Sequence, residues 1–481
     1  MKFRPVYISL FIFIVVGLLA ALAAVFPKEG IQIGDITLRF PSLQEFLCVN
    51  EKDTVSDDTP SPEELLALQL AQMRSEEEMP FISFFTYSPE RICFPQTDST
   101  AAGMGDSTYL DGVYRALLQA DTAKVHIVHY GDSQIEEDRI TLILRRRLQE
   151  RFSGNGVGLL PLYQSVQTRT VRQHTSPEPT RYMVYGMPSM RRQNNLYGPM
   201  GQVAILDTTI RVSITPRSKM TGLYSAHYAD RLTLLTHSEN PVCAIVQGQR
   251  HTISPNSNPL QFTTIQLKDS TTRLNLQLSG KGDIYGILLE GRHGVNIDNI
   301  PMRGCSGTVF TGINRDQLST YFQQTNTRLI ILQYGGNRVP GLHSEKRIQE
   351  YISNITKQIE YLHSLAPEAA ILFIGPSDMS TRYHGTMQTY PVLPGFEARL
   401  ARAVTHAGAA YWSLFNAMGG QGAMLQWVKT GLAGSDHIHF TAKGAEKAGD
   451  MLYQSLMTGF DYYLWRQATY CPVDQNPTKD Q

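Results

Sequence analysis

The chain has no excess of either charge: 43 Lys and Arg stand against 43 Asp and Glu. That balance leaves no basic stripe or patch as a nucleic-acid footprint, and it argues against an acidic disordered tail. Cysteine is scarce and scattered. Cys48, Cys93, Cys243, Cys305 and Cys471 form no C-x-x-C pair, so neither a metal knuckle nor a dithiol redox site is encoded. An odd number cannot pair completely within one chain, and free thiols with at most one disulfide are expected. No fixed-period repeat is visible. What is present is the composition of a globular protein, 42% hydrophobic and 18% charged. A length of 481 residues suggests about two or three domains.

Charge is also absent from one long stretch near the N-terminus. Lys2 and Arg4 precede an apolar run from Val6 to Phe26. Roughly 20 apolar residues suffice to span a bilayer, and the positive flank keeps that end in the cytoplasm. The length favours an uncleaved membrane anchor. Ala21-Leu22-Ala23 resembles a cleavage site and keeps a signal peptide open. Either reading sends the bulk of the chain out of the cytoplasm, anchored in an inner membrane or secreted to a periplasm. No cysteine directly follows the run, so no lipoprotein site is expected.

The grammar of the sequence changes several times after residue 26. Residues 27–108 read as a tether and helical lead-in, with the acidic, proline-bearing EKDTVSDDTPSPEE and an amphipathic helix over 61–78. Residues 109–152 open an α/β domain with a helix near Tyr109–Ala120 and the strand KVHIVHY. A second helix follows Ser133, with Ile140, Leu144 and Leu148 on one stripe. Glu136, Glu137 and Asp138 fall in its expected first turn and Arg145–Arg147 near its end, the order a helix dipole favours. Over 153–290 short β-like runs such as TIRVSIT and RLNLQL alternate with turns, which predicts an antiparallel sandwich or jelly roll without helices. Over 291–465 the α/β pattern resumes. Strands are expected at GVNIDNI, 328–334, 369–375 and 410–415. Helices are expected at Gln317–Gln324, Glu345–Leu365, Phe396–Ala407 and Thr441–Leu464. Residues 466–481 are left as a tail. The fold class is therefore α/β, with a parallel sheet interrupted by a β domain.

In an open parallel sheet, ligands bind beyond the carboxyl ends of the strands. Three predicted strands end there in residues suited to acyl chemistry: Gly131-Asp132-Ser133, Arg303-Gly304-Cys305 and Gly335-Gly336-Asn337. A serine at a strand-to-helix corner is exposed, and its amide faces a developing oxyanion. A late loop supplies Asp436 and His439, a base and the partner that fixes its tautomer. Thr441 would cap the helix that follows.

Gly131-Asp132-Ser133, Gly304, Gly335-x-Asn337 and Asp436-x-x-His439 occur in the order of the four blocks of the SGNH, or GDSL-type, hydrolases, which the chain resembles over 124–152 and 294–464. The resemblance implies a flavodoxin-like three-layer α/β/α sandwich and a triad of Ser133, His439 and Asp436. It also implies an oxyanion hole from the Ser133 amide, the Gly304 amide and Asn337, with no cofactor. Gln134 departs from the family's leucine at a position expected to do no chemistry. The β insertion after the first block is similar in architecture to that of the peptidoglycan O-acetylesterases of Gram-negative bacteria. An acetylated cell-envelope glycan is then the expected partner. The same triad with a sugar acceptor, fed by a membrane O-acyltransferase, would make an O-acetyltransferase. A non-catalytic glycan-binding protein is the third reading. The GNGVGLLPL run (154–162) reads either as an edge of the active-site entrance or as a linker turn.

Plainer roles are expected for other residues. His437 and His439 lack a third metal ligand. His126 and His129 read as packing residues, Asp132 as the anchor of the turn, and Arg145–Arg147 as a solvated helix end. Tyr182, Tyr185, Tyr197, Tyr224 and Tyr228 read as packing rather than sugar-stacking rings.

Overall fold

The computed structural model describes residues 31–33, 36–38, 91–96, 105–217, 229–268 and 273–470. The apolar run at 6–26, the lead-in helix expected over 61–78, Tyr224, Tyr228, Cys48 and Cys471 lie outside them. Among the described residues no helix is long and apolar enough to cross a membrane, and Cys93, Cys243 and Cys305 are free thiols. The chain divides into two compact units, Met1–Ser61 and Pro62–Gln481. The first contributes a two-stranded antiparallel ribbon, β1 (Ile31–Ile33) with β2 (Ile36–Leu38).

The second unit starts with β3 (Ile92–Cys93), α1 (Asp111–Leu118), β4 (Lys124–Gly131) and α2 (Thr141–Phe152). Eleven strands follow: β5 (Gly158–Leu160), β6 (Val171–Ser176), β7 (Arg181–Met183), β8 (Gln202–Leu206), β9 (Ile210–Pro216), β10 (Arg231–His237), β11 (Val242–Val246), β12 (Gln249–Ile253), β13 (Gln261–Gln266), β14 (Leu274–Ser279) and β15 (Gly282–Glu290). The α/β order then resumes with β16 (Gly294–Pro301), α3 (Arg315–Thr325), β17 (Thr327–Gln333), α4 (Glu345–Leu365) and β18 (Ala370–Ile374). A hairpin of β19 (Ser380–Tyr383) and β20 (Thr386–Thr389) precedes α5 (Leu393–His406), β21 (Ala410–Trp412), α6 (Leu414–Ala417), α7 (Ala423–Lys429) and α8 (Ala442–Tyr470).

The α/β sheet runs β16-β4-β17-β18-β21-β3. Its first five strands are parallel, and β3 closes the edge antiparallel to β21. Counted along the chain from β4, the parallel strands stand in the order 2-1-3-4-5, the flavodoxin-like arrangement. Their near-continuous apolar runs reflect burial on both faces. Val125, Ile127, Leu329, Ile331 and Leu372 pack with Leu144 and Leu148 of α2 and Leu452 and Leu456 of α8. Val128, Tyr130, Ile330, Leu332 and Phe373 pack with Leu318 of α3, Ile355 and Ile359 of α4 and Leu400 of α5.

The inserted strands form two antiparallel sheets, β13-β10-β15-β8-β7, with β5 on β15, and β12-β11-β14-β9-β6. Leu232, Leu234, Ile287 and Leu289 of the first share a core with Val212, Ile214, Ala244 and Leu276 of the second. The opposite face of the first sheet is not solvated. Leu235, Tyr285 and Leu288 join the core that holds Val128, Tyr130 and Leu332 of the α/β sheet. β15 is thus buried on both faces, as its sequence DIYGILLE allows. Asp298 of β16 adds a polar pin. It is fully buried, accepts the Leu159 amide of β5 at 2.8 Å, and is hydrogen-bonded to His126 at 2.8 Å and to Tyr321. The expected boundary near residue 290 is a short turn between β15 and β16, across which packing is continuous.

Several expected elements differ. The strand expected over 410–415 ends at Trp412, because Ser413 accepts the Asn416 amide and starts α6. β3 and the β19–β20 hairpin carry too few residues to show a period. α2 begins only at Thr141, so Glu136, Glu137 and Asp138 are not its first turn. Arg145 is not a solvated helix end. It is fully buried and pairs with buried Asp138 at 2.6 Å.

Candidate active site

The carboxyl ends of the central strands lie level. Pro301 and Gln333 are both registered with Gly131, and Gln333 with Ile374. Beyond that edge the structure brings together groups drawn from far apart in the sequence. Ser133 Oγ is 2.8 Å from His439 Nε2, and His439 Nδ1 is 2.7 Å from Asp436 Oδ2. Asp436 Oδ1 also accepts the amides of Ile438 at 3.0 Å and His439 at 3.1 Å. Partial burial alone would raise the Asp436 pKa. The His439 ring and those two amides outweigh it, and the carboxyl sits below its ordinary value. Thr441 Oγ1 accepts the Gly444 amide at 3.3 Å, as a cap of α8 should.

Ser133 sits in an irregular turn instead of at a helix mouth. A single 3₁₀ turn, Glu136–Asp138, intervenes before α2. Within it Glu137 (φ 62°) and Asp138 (φ 62°) adopt left-handed backbone, which non-glycine residues hold only when their surroundings impose it. Part of that hold comes from the inserted region. The Arg169 amide donates to Glu137 O at 2.8 Å, and Thr170 Oγ1 donates to Asp138. Arg145 adds two contacts to Asp138, at 2.6 and 3.3 Å.

A cavity of about 170 Å³ opens at Ser133 and His439, with Asn337, Gln333, Pro376 and Met379 in its walls. Of the three residues expected to hold an oxyanion, Ser133 and Asn337 line it and Gly304 does not. Gly304 has φ 75°, and open space surrounds the position of a missing Cβ. Neither the Ser133 nor the Gly304 amide has a backbone partner among the described residues. Asn337 Nδ2 is engaged twice, donating to Asp132 Oδ2 and to Cys305 O, each at 3.0 Å. Asp132 Oδ1 accepts the Gln134 amide at 2.9 Å. Burial raises the Asp132 pKa to about 6, against the pull of the Gln134 amide and of His439. Asp132 therefore anchors both the turn and the Asn337 amide.

One residue stands differently from expectation. Gln134 was expected to be idle, yet its buried side chain donates to Ile438 O at 2.6 Å and to Ser377 Oγ at 3.4 Å. It ties the serine turn to the histidine loop, and the only trace of this in the sequence is a polar residue at the family's leucine position. His129 is buried with Nε2 3.2 Å from Gln333 Oε1 and Nδ1 2.9 Å from Thr141 Oγ1, and burial lowers its pKa to about 3. His437 has left-handed backbone (φ 58°), and its carbonyl accepts the Ser380 amide of β19 at 3.1 Å. Among the described residues no group of three His, Cys, Asp or Glu is placed to hold a metal ion. Of the tyrosines, Tyr197 is buried, and Tyr182 and Tyr185 pack against the core.

Fold and site together define an α/β protein of flavodoxin-like topology with a serine, a histidine and an aspartate in hydrogen-bonded series. Residues 269–447 match the GDSL-like lipase/acylhydrolase family. That span includes Gly304, Asn337, Asp436 and His439 and leaves Ser133 outside it. The fold is similar to that of a structure described as "Peptidoglycan O-acetylesterase in action, 5 min", at 22% identity and a TM-score of 0.59, over 73% of this chain and 95% of that one. A family two carbohydrate esterase from Cellvibrio japonicus aligns over 61% of this chain and 99% of its own at 11% identity, with a TM-score of 0.26. The periplasmic domain of a lipopolysaccharide acetyltransferase from Salmonella ser. Paratyphi A aligns over 35% of this chain and 74% of its own at 13% identity, with a TM-score of 0.25. No curated protein matches the chain.

Proposed function

We propose that the protein is an extracytoplasmic serine esterase that removes O-acetyl groups from a cell-envelope glycan, with peptidoglycan the first candidate. The observation that carries the reading is the series Ser133 Oγ, His439 Nε2, His439 Nδ1 and Asp436 Oδ2, joined at 2.8 and 2.7 Å beside a cavity of about 170 Å³. That space suits a small acyl group better than a sugar chain. His439 takes the Ser133 proton as Oγ adds to the ester carbonyl, and Asp436 holds the ring and its positive charge. Collapse expels the sugar hydroxyl, which leaves with the proton from His439. Water then adds to the acyl-serine with His439 again as base, and acetate departs.

The Ser133 amide is aimed at the oxyanion from the nucleophile's own residue. Asn337 serves once one of its two present bonds is exchanged; the neutral Cys305 carbonyl is the weaker hold of the two. The Gly304 amide, which has no backbone partner among the described residues, is assigned as the third donor on the family resemblance, since Gly304 does not line the cavity at Ser133. No step calls for a cofactor. The extracytoplasmic setting rests on the charged flank and apolar run at the N-terminus. The choice of peptidoglycan takes its substrate from the fold neighbour.

The test is a fluorophosphonate probe followed by mass spectrometry. Labelling of Ser133 that disappears in His439→Ala is expected. A protein left unlabelled, and inert towards 4-nitrophenyl acetate, would exclude catalysis and favour a glycan-binding protein. Release of acetate from O-acetylated peptidoglycan with no sugar acceptor present separates an esterase from a transferase that works with a membrane O-acyltransferase.

A further inference from the structure

Among the described residues a second space, larger than the one at Ser133, carries chemistry of its own. A cavity of about 610 Å³ lies where the serine turn, the end of β16 and the inserted strands meet. Small-molecule sites span roughly 300–1,000 Å³. On one side it is bounded by Glu136, three residues after Ser133, and by Arg303, next to Gly304; these two pair at 3.6 Å and form a rim towards the serine turn. The other walls come from the inserted region.

The charges in the walls are matched. Glu137 pairs with Arg169 at 3.4 Å, Asp138 with Arg145 at 2.6 Å, and Arg181 with Glu178 at 3.7 Å. A lining so neutralised has little to offer a polyanion. What remains are neutral hydrogen-bonding groups and apolar surface. Gln164 Oε1 is enclosed and accepts no hydrogen bond from the described residues, an acceptor left waiting for a donor. Tyr163 is fixed in place by the Arg181 guanidinium 4.7 Å from its ring centre. Met183 and Met200 supply adaptable apolar wall. Hydroxyl or acetamido donors set on C–H faces match this surface.

We propose that this cavity is a glycan subsite, taking neutral N-acetylated sugars of the chain whose ester lies in the Ser133 cavity. The inference rests on the esterase reading for its place in catalysis, but its test is binding. Isothermal titration of the full chain with a β-1,4-linked tetramer of N-acetylglucosamine should show saturable binding. Tyr163→Ala, and Val166→Trp, which fills the space, should each weaken it by about ten-fold. Gln164→Ala should weaken it by about five-fold, as expected for one hydrogen bond. Tyr163→Phe should retain binding, and unchanged thermal melts keep the comparison free of misfolding. No binding by the unsubstituted chain, equal binding by Val166→Trp, or binding of a fatty acid in place of the tetramer would overturn the subsite. Hydrolysis of 4-nitrophenyl acetate by the same unsubstituted protein is scored apart. Its absence removes the esterase reading alone, and absent tetramer binding with hydrolysis intact removes the subsite alone.

Discussion

Asp132 and Asp436 both serve the Ser133 site, and their surroundings push them in opposite directions. Asp436 stands in a loop with its side chain 48% exposed, and hydrogen bonds from the His439 ring and two amides hold its carboxyl below the usual range. Asp132 is buried beneath the serine turn, and desolvation raises it to about 6. In the proposed mechanism one is an ion that faces an imidazolium. The other is an anchor that holds Asn337 and the turn while poorly tolerating its own charge. Proximity to a histidine does not by itself set a carboxylate's role; solvent and donors do.

Substitutions sharpen that contrast in descending order of effect. Asp436→Asn should reduce kcat on 4-nitrophenyl acetate most, by up to about 10⁴-fold, because the amide selects the wrong imidazole tautomer; an effect below ten-fold would make Asp436 a bystander. Asn337→Ala should reduce kcat by about 10²–10³-fold with KM little changed, and a change in KM alone would recast Asn337 as a binding residue. Asp132→Asn should act mainly on stability and its pH dependence. The wild-type acid contributes stability fully present below its ordinary 3.8 and lost as pH rises through about 6. His129, lowered from 6.5 to about 3, acts oppositely: its contribution is present above 6.5 and lost as pH falls towards 3. The two partly cancel in the wild type, so the informative quantity is the difference in Tm between Asp132→Asn and wild type. It should move in the variant's favour between pH 4 and pH 7. Gln134→Leu, which restores the family's residue, should cost the least, a few-fold in kcat through the lost bond to Ile438 O.

The parallel sheet was legible because its strands are long apolar runs alternating with periodic helices, and a period survives whatever the tertiary packing does. The residues that meet at Ser133 were legible because each falls at a strand end or in one short loop. The turn between Ser133 and Thr141 was not. Three acids before an amphipathic stripe look like a helix start, whereas two of them hold left-handed backbone braced by Arg145, Arg169 and Thr170. Such a brace is a contact between distant segments and has no local pattern. For the same reason Arg145 reads as solvated in RRR, although only its two neighbours reach the surface. Gln134 was missed because family analogy treated a departure as neutral, when the polar side chain had found a carbonyl across the cleft.

β15 buries side chains against the partner sheet on one face and against the α/β sheet on the other. Neither half can melt without baring the other's interior. Calorimetry should therefore show a single cooperative endotherm for Pro62–Gln481, its van't Hoff and calorimetric enthalpies agreeing. A sugar seated among the inserted strands would then protect the α/β half from heat as well.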